Sequence, residues 1–259
     1  MKRLLKFAWI AALAMMLCAC NTDQGKGQGQ VSVQEEKLQA PYAPLKEVEV
    51  PSYEDVSDVA GHFQKYCSGM MVQVIAGNLG GSGVIYDADQ NFLWIATAAH
   101  VLENMEGNAT LIFDDGYEVT TDNVVYAKGQ DLVFLKVPRN ALIEEESENK
   151  SRVDHGEIYG KAKISQDAYD AMRVGDLVVS MGSKSGVGAD SYAGVILQDY
   201  VWLEDFGAYM IVVDVAVTPG MSGGALLDTK GNLMGILCGV SETGEVAVAP
   251  VLALLAMER

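Results

Sequence analysis

Three short segments carry side chains whose chemistry could be combined. In Ile95-Ala96-Thr97-Ala98-Ala99-His100-Val101 an apolar strand runs into a histidine. Imidazole changes charge close to neutral pH, which suits it to general-base work. In Gln130-Asp131-Leu132-Val133-Phe134-Leu135-Lys136-Val137 one carboxylate stands at the mouth of a largely apolar strand. A buried aspartate needs donors, and a histidine N–H supplies one while fixing the tautomer of the ring. In Thr218-Pro219-Gly220-Met221-Ser222-Gly223-Gly224-Ala225-Leu226 a serine sits in a glycine-flanked turn just before a strand. Glycine permits the positive φ angles of such a turn and the close approach of a substrate. The backbone N–H groups of Gly220, Met221 and Ser222 are the candidates to converge on an oxyanion. Each residue alone would be unremarkable as structure.

Other candidate groups carry less. His62 and His155 have no comparable surroundings in sequence and are expected at the surface. Asp87-Ala88-Asp89-Gln90-Asn91 has the acidic spacing of a calcium loop, but Phe92 stands where the turn glycine belongs and the distal glutamate is missing. It reads as a hairpin turn. Gly77 to Gly83 is glycine-rich without following a phosphate-loop pattern, so neither a metal nor a nucleotide cofactor is expected. Cys67 and Cys238 are expected as buried free thiols, with a disulfide as the alternative that geometry decides.

The elements that would position the three segments are short strands. Residues 70–76, 83–86, 92–97, 109–113, 123–126 and 132–137 read as one set, separated by Gly, Asn and Asp turns such as Asp114-Asp115-Gly116. A second set follows at 177–181, 192–197, 210–215, 225–227, 233–238 and 246–249. Between them lies a polar connection from Ala141 to about Gln166, whose acidic run Glu144-Glu145-Glu146 is a solvated face. Helical spacing appears over Ser52–Cys67 and again from Val251 to Arg259. The fold class expected is all-β: a double six-stranded antiparallel β-barrel with short flanking helices, the barrels at about 68–140 and 165–250.

In the order His, Asp, Ser, these segments resemble the chymotrypsin-type (trypsin-like) serine proteases, and more closely their HtrA/Deg branch. Gly81-Ser82-Gly83-Val84-Ile85 resembles the Gly-Ser-Gly strand ahead of the histidine. Val174-Gly175-Asp176, Met181-Gly182, Ser191-Tyr192-Ala193-Gly194-Val195-Ile196 and Gly231-Asn232-Leu233-Met234-Gly235-Ile236 resemble the second barrel in sequence. The resemblance implies that His100 is the general base, Asp131 its orienting partner and Ser222 the nucleophile. It further implies that Val217 and Val240 wall the pocket for the residue before the cut, and that Cys238, Gly239 and Val240 pair with substrate backbone. Two departures stand out. Digestive members place an aspartate before the nucleophile to pair with a cleaved N-terminus, whereas Met221 cannot form that ion pair. The branch also usually carries a peptide-binding PDZ domain after the protease, and none is expected here.

Composition limits the partners. The 259 residues are 49% apolar and 20% charged, with a net charge of −17. So acidic a surface repels phosphate backbones, and nucleic acid is not an expected partner. The chain opens with Met1-Lys2-Arg3-Leu4-Leu5-Lys6 and the apolar run Phe7 to Leu17, which reads as a signal peptide over residues 1–19. Leu17-Cys18-Ala19-Cys20 resembles the lipobox of bacterial lipoproteins, so Cys20 is the expected lipidation site. Removal of residues 1–19, with Lys2, Arg3 and Lys6, would take the net charge to −20, leaving the lipid alone to hold the membrane. Residues 20–50 are expected as a flexible linker with a reach of roughly 30 Å, except that the part from Val48 onward has an ordered arm as its alternative, and 51–259 as the protease domain. The reading is an extracytoplasmic, lipid-anchored serine endopeptidase acting on unfolded or extended proteins or peptides. The alternative is a catalytically silent envelope protein of the same fold that binds peptides or a partner.

Overall fold

A computed structural model describes residues 42–52, 58–145, 152–183 and 188–257. A two-residue strand, Lys46–Glu47 (β1), precedes the helix Val59–Cys67 (α1). The first sheet follows: Met71–Ala76 (β2), Leu79–Ala88 (β3), Phe92–Thr97 (β4), Ala109–Phe113 (β5), Glu118–Thr121 (β6), Val124–Tyr126 (β7) and Val133–Pro138 (β8). The connection contains Ile143–Glu145 (β9), Arg152–Asp154 (β10), Gly160–Lys161 (β11) and the helix Gln166–Ala171 (α2). Leu177–Ser183 (β12), Ala189–Leu203 (β13), Ala208–Val215 (β14), Ala225–Asp228 (β15), Leu233–Val240 (β16) and Val246–Pro250 (β17) form the second half, and Val251–Leu255 (α3) closes it.

The second half is a closed barrel of six strands, β12-β13-β14-β17-β16-β15. The first differs from the six-stranded barrel expected: it is a seven-stranded sheet in the order β6-β5-β2-β3-β4-β8-β7. It curls until Thr121 Oγ1 at the end of β6 donates to the Lys136 carbonyl of β8 at 2.6 Å, but its edges do not pair. Strand alternation explains the curl. β5 and β6 bury every second residue, Ala109, Leu111, Phe113, Val119 and Thr121, while β3 and β4 are buried almost throughout. Turn chemistry fixes the register. Gly77, at a φ of 60°, closes the hairpin in which Ala76 faces Leu79. Asp89 caps the next turn, its carboxylate accepting from the N–H groups of Asn91 and Phe92 at 2.6 and 2.8 Å and from Trp94 Nε1 at 2.9 Å. The stretch Asp87–Asn91 is therefore a hairpin turn.

The expected linker over 20–50 needs correcting in its described part. Leu45 is buried, β1 pairs in parallel with β11, and the Val48 N–H donates to Lys161 O at 2.9 Å. The buried Arg139 holds the same arm, with Nη2 on Ala43 O at 3.2 Å and its guanidinium over the Tyr42 ring. Apolar residues at 45, 48 and 50 give this stretch a face to bury, so it packs as an ordered arm rather than as free linker. The signal segment 1–19 and Cys20 lie outside the described residues, as does the first part of the expected N-terminal helix, residues 53–57.

Candidate active site

The pairing of β4 with β8 builds the first half of the site. Thr97 faces Val133 in that antiparallel ladder, so the exit of β4 lies beside the entry of β8. His100 follows in a short 3₁₀ turn, Ala99–Leu102, and Asp131 stands two residues before β8. The carboxylate makes two bonds to the histidine: Oδ2 lies 2.7 Å from the ring Nδ1, and Oδ1 accepts from the His100 backbone N–H at 2.9 Å. The Asp131 side chain is only 8% exposed and that of His100 23%. An Nδ1–H held by a carboxylate leaves Nε2 with its lone pair, on the more open side of the pair.

The second half supplies the serine. Thr218-Pro219-Gly220-Met221 is a turn closed by the Met221 N–H on Thr218 O at 3.1 Å, with Gly220 at a φ of 95°. Proline second and glycine third, with positive φ at the glycine, is the type II pattern. Met221 O accepts from the Gly224 N–H at 2.9 Å, while the Gly223 N–H and Gly224 O bond to Leu237 of β16. Gly223, at a φ of 84°, has no alternative: a Cβ there would stand 2.1 Å from Ser82 O and 2.2 Å from Thr97 Oγ1. Gly81 plays the matching part in the first sheet. A Cβ on it would meet both Val101, the residue after His100, and the carbonyl of Ser222. The nucleophile turn thus sits directly against the segment that carries the histidine.

The oxyanion donors expected from sequence divide. The N–H of Met221 is committed to Thr218 O, and its thioether sulfur accepts from the Thr218 N–H at 3.2 Å. Met221 therefore braces the turn instead of donating outward, packed where Gly182 leaves room for it. Gly220 and Ser222 remain: among the described residues, no acceptor faces either N–H. Beside them opens a pocket of about 280 Å³ walled by Val217, Met221, Leu237, Val240 and Val246, with Gly239 and Ser222 on its lining. Val217 and Val240, expected as its walls, lie on this lining, as does Gly239, expected to pair with substrate backbone; Leu237 and Val246 were not expected there, their only signal being their place on adjoining strands. The Cys238 side chain is absent from the pocket. It is buried, with Sγ 3.6 Å from Asp131 O, and burial together with the nearby carboxylate pushes its thiol well above the usual range. Cys67 is likewise a buried free thiol, raised by burial to about 12.

The residue pattern also extends across known proteins. The trypsin-like peptidase domain matches residues 81–236, well over half of the chain. The chain belongs to the trypsin-like peptidase family. Within it, the periplasmic serine endoprotease DegP of Escherichia coli K12 is 30% identical over 164 residues, covering 60% of this chain and 29% of DegP. The pH-dependent periplasmic serine endoprotease DegQ of the same strain is 27% identical over 162 residues, covering 60% and 30%. This trypsin-like peptidase therefore spans about three tenths of the length of those relatives. Its fold matches the HtrA-type protease AlgW, solved with a tripeptide, at a TM-score of 0.57 and 22% identity, over 78% of this chain and 62% of that one. It also matches the Rv3671c protease in its inactive form at a TM-score of 0.57 and 16% identity, over 80% and 96%.

The remaining histidines are half-buried at the surface. His155 is stacked on Tyr117 with ring centroids 3.8 Å apart, and its Nδ1 lies 2.7 Å from Asp115 Oδ2. His62 Nε2 contacts Pro51 O at 2.8 Å. Among the described residues, no group of three metal-ligating side chains converges, and no helix is long and apolar enough to cross a membrane.

Proposed function

We propose that this trypsin-like peptidase is an extracytoplasmic serine endopeptidase using Ser222, His100 and Asp131. Ser222 attacks the peptide carbonyl as His100 Nε2 takes its proton. Asp131 holds the tautomer and stabilises the imidazolium, and the Gly220 and Ser222 N–H groups receive the oxyanion. His100 then returns the proton to the leaving amine, and water repeats the sequence on the acyl-enzyme. The observation that carries the reading is the doubly bonded His100–Asp131 pair beside a turn whose Gly220 and Ser222 N–H groups have no acceptor among the described residues. Labelling with a fluorophosphonate probe tests it. Wild type should label and Ser222→Ala should not; an unlabelled wild type would leave the silent, peptide-binding alternative in possession.

Specificity and placement belong to the same proposal. The pocket's aliphatic walls suit Val, Ala, Ile or Leu before the cut, and Val217 and Val240 provide no carboxylate for Lys or Arg. Beyond Ile236, the last residue of β16 paired with β15, the edge from Cys238 to Val240 has no partner strand on the β15 side. It offers main-chain groups to an extended substrate. Residues 1–19 serve as signal peptide and Cys20 as the lipidated N-terminus. A tether follows, and the protease domain follows that. The substrates are peptides and unfolded protein segments.

A further inference from the structure

Ser82, on β3, has no exposed surface, yet its N–H and hydroxyl are engaged by the other half, at and beside the nucleophile turn. Its N–H donates to Ser222 O at 2.7 Å. Its hydroxyl donates to Gly220 O at 2.7 Å and accepts from the Ser183 N–H, at the end of β12, at 2.9 Å. Its carbonyl accepts from Thr97 Oγ1 at 2.6 Å, and Thr97 lies three residues before His100. One residue of the first sheet thus grips the two carbonyls on either side of Met221 and is itself gripped by the strand leading to the histidine.

We propose that Ser82 is a positioning residue for hydrolysis, its hydroxyl setting the oxyanion turn relative to His100; this rests on the endopeptidase reading above. The peptide unit between Gly220 and Met221 is held at both ends, its carbonyl by Ser82 Oγ and its N–H by Thr218 O. Nothing steric holds it: a Cβ at Gly220 would meet no atom within 4 Å. Nor does an ion pair, since Met221 carries no charge. Hydrogen bonds must therefore fix the turn. Without the hydroxyl, Gly220 O and the Ser183 N–H lose a partner, and a buried polar group so orphaned drives local rearrangement. Glycine is the residue least able to resist it. As the Gly220–Met221 peptide unit turns, Gly220 ψ changes with Met221 φ, and the compensating change in Gly220 φ carries its own N–H off the oxyanion position. The apolar pocket walls stand on the second barrel and stay in place. The loss is therefore one of transition-state stabilisation, not of substrate binding.

Ser82→Ala and Ser82→Cys test this, the second keeping the volume while weakening the donor. Fluorophosphonate labelling of wild type comes first, with Ser222→Ala as control, so a failure of the endopeptidase reading is seen separately. In the Ser82 variants kcat should fall by about 10- to 100-fold, less than the loss of a direct oxyanion donor, while KM stays within about twofold. Affinity for a peptide boronic acid, whose tetrahedral adduct uses the oxyanion site, should fall with kcat. Affinity for the non-covalent product peptide should hold. Unchanged kcat, parallel loss of boronate and product affinity, or failure of both variants to fold would each overturn the proposal.

Discussion

Both oxygens of the Asp131 carboxylate are spent on a single residue, one on the ring of His100 and one on its backbone. Asparagine has only one acceptor oxygen. In Asp131→Asn the amide NH₂ must face either the backbone N–H or Nδ1, and the second arrangement selects the wrong tautomer. We expect kcat to fall by about 10³- to 10⁴-fold with the fold intact; a loss under tenfold in steady-state assays would remove Asp131 from the proposed triad. The pocket makes a different kind of prediction. Val217→Ala should move cleavage toward larger apolar residues, and by a modest factor, since a methylene in such a pocket discriminates by about 1–3 kcal/mol. Digests read by mass spectrometry would show it. Cuts mainly after Lys, Arg or Glu would show that the pocket has been misassigned. The three residues of the proposed triad stand out in sequence because His100 ends an apolar run, Asp131 opens one and Ser222 lies in a glycine-flanked turn before a strand. Ser82 was visible only as part of a Gly-Ser-Gly strand, because its hydroxyl partner is 138 residues away.

At the level of elements, the strand pattern was read nearly in full because alternation and glycine turns are local properties. β6 escaped because it is four residues long and presents Glu118 and Thr120 outward, leaving only two inward side chains as signal. Closure was beyond reach: whether two sheet edges pair depends on curvature summed over seven strands, which no single strand records. The connection between halves also proved more ordered than its acidic sequence suggested. Its His155 Nδ1 and Tyr159 hydroxyl reach Asp115 of the β5–β6 turn at 2.7 and 3.0 Å, and Asp115 also accepts from the Tyr117 N–H of that turn at 3.0 Å. Partial burial works to raise its carboxyl, but these bonds outweigh it and hold the group below the ordinary carboxylate range. A group depressed in the folded state contributes stability above its unfolded value, and that stability is lost as pH falls through the folded one. Asp115→Asn should therefore unfold at lower urea than wild type at neutral pH, with the gap narrowing below about pH 4. A gap independent of pH would contradict this.

For the molecule as a whole, charge and attachment pull in opposite directions. A net charge of −17 repels anionic lipid, so under the proposed lipidation the acyl chains alone would hold the protein at a membrane. Cys20→Ser should move the protein from the detergent phase to the aqueous phase without changing its unfolding transition; equal partitioning of variant and wild type would refute lipidation. The same field disfavours acidic substrates, so peptides carrying Asp or Glu near the cut should be turned over faster as salt is raised.

The contacts between the halves also bear on timing. The histidine and aspartate belong to the first sheet and are synthesised early, whereas the serine turn belongs to the second barrel and is bonded to Ser82 only when both halves have met. A chain emerging from a ribosome or a translocation pore carries no assembled hydrolytic centre until nearly all of it has emerged. Under the proposed activity, the nascent protease is inert toward itself and its neighbours during the interval when every segment is still an extended substrate.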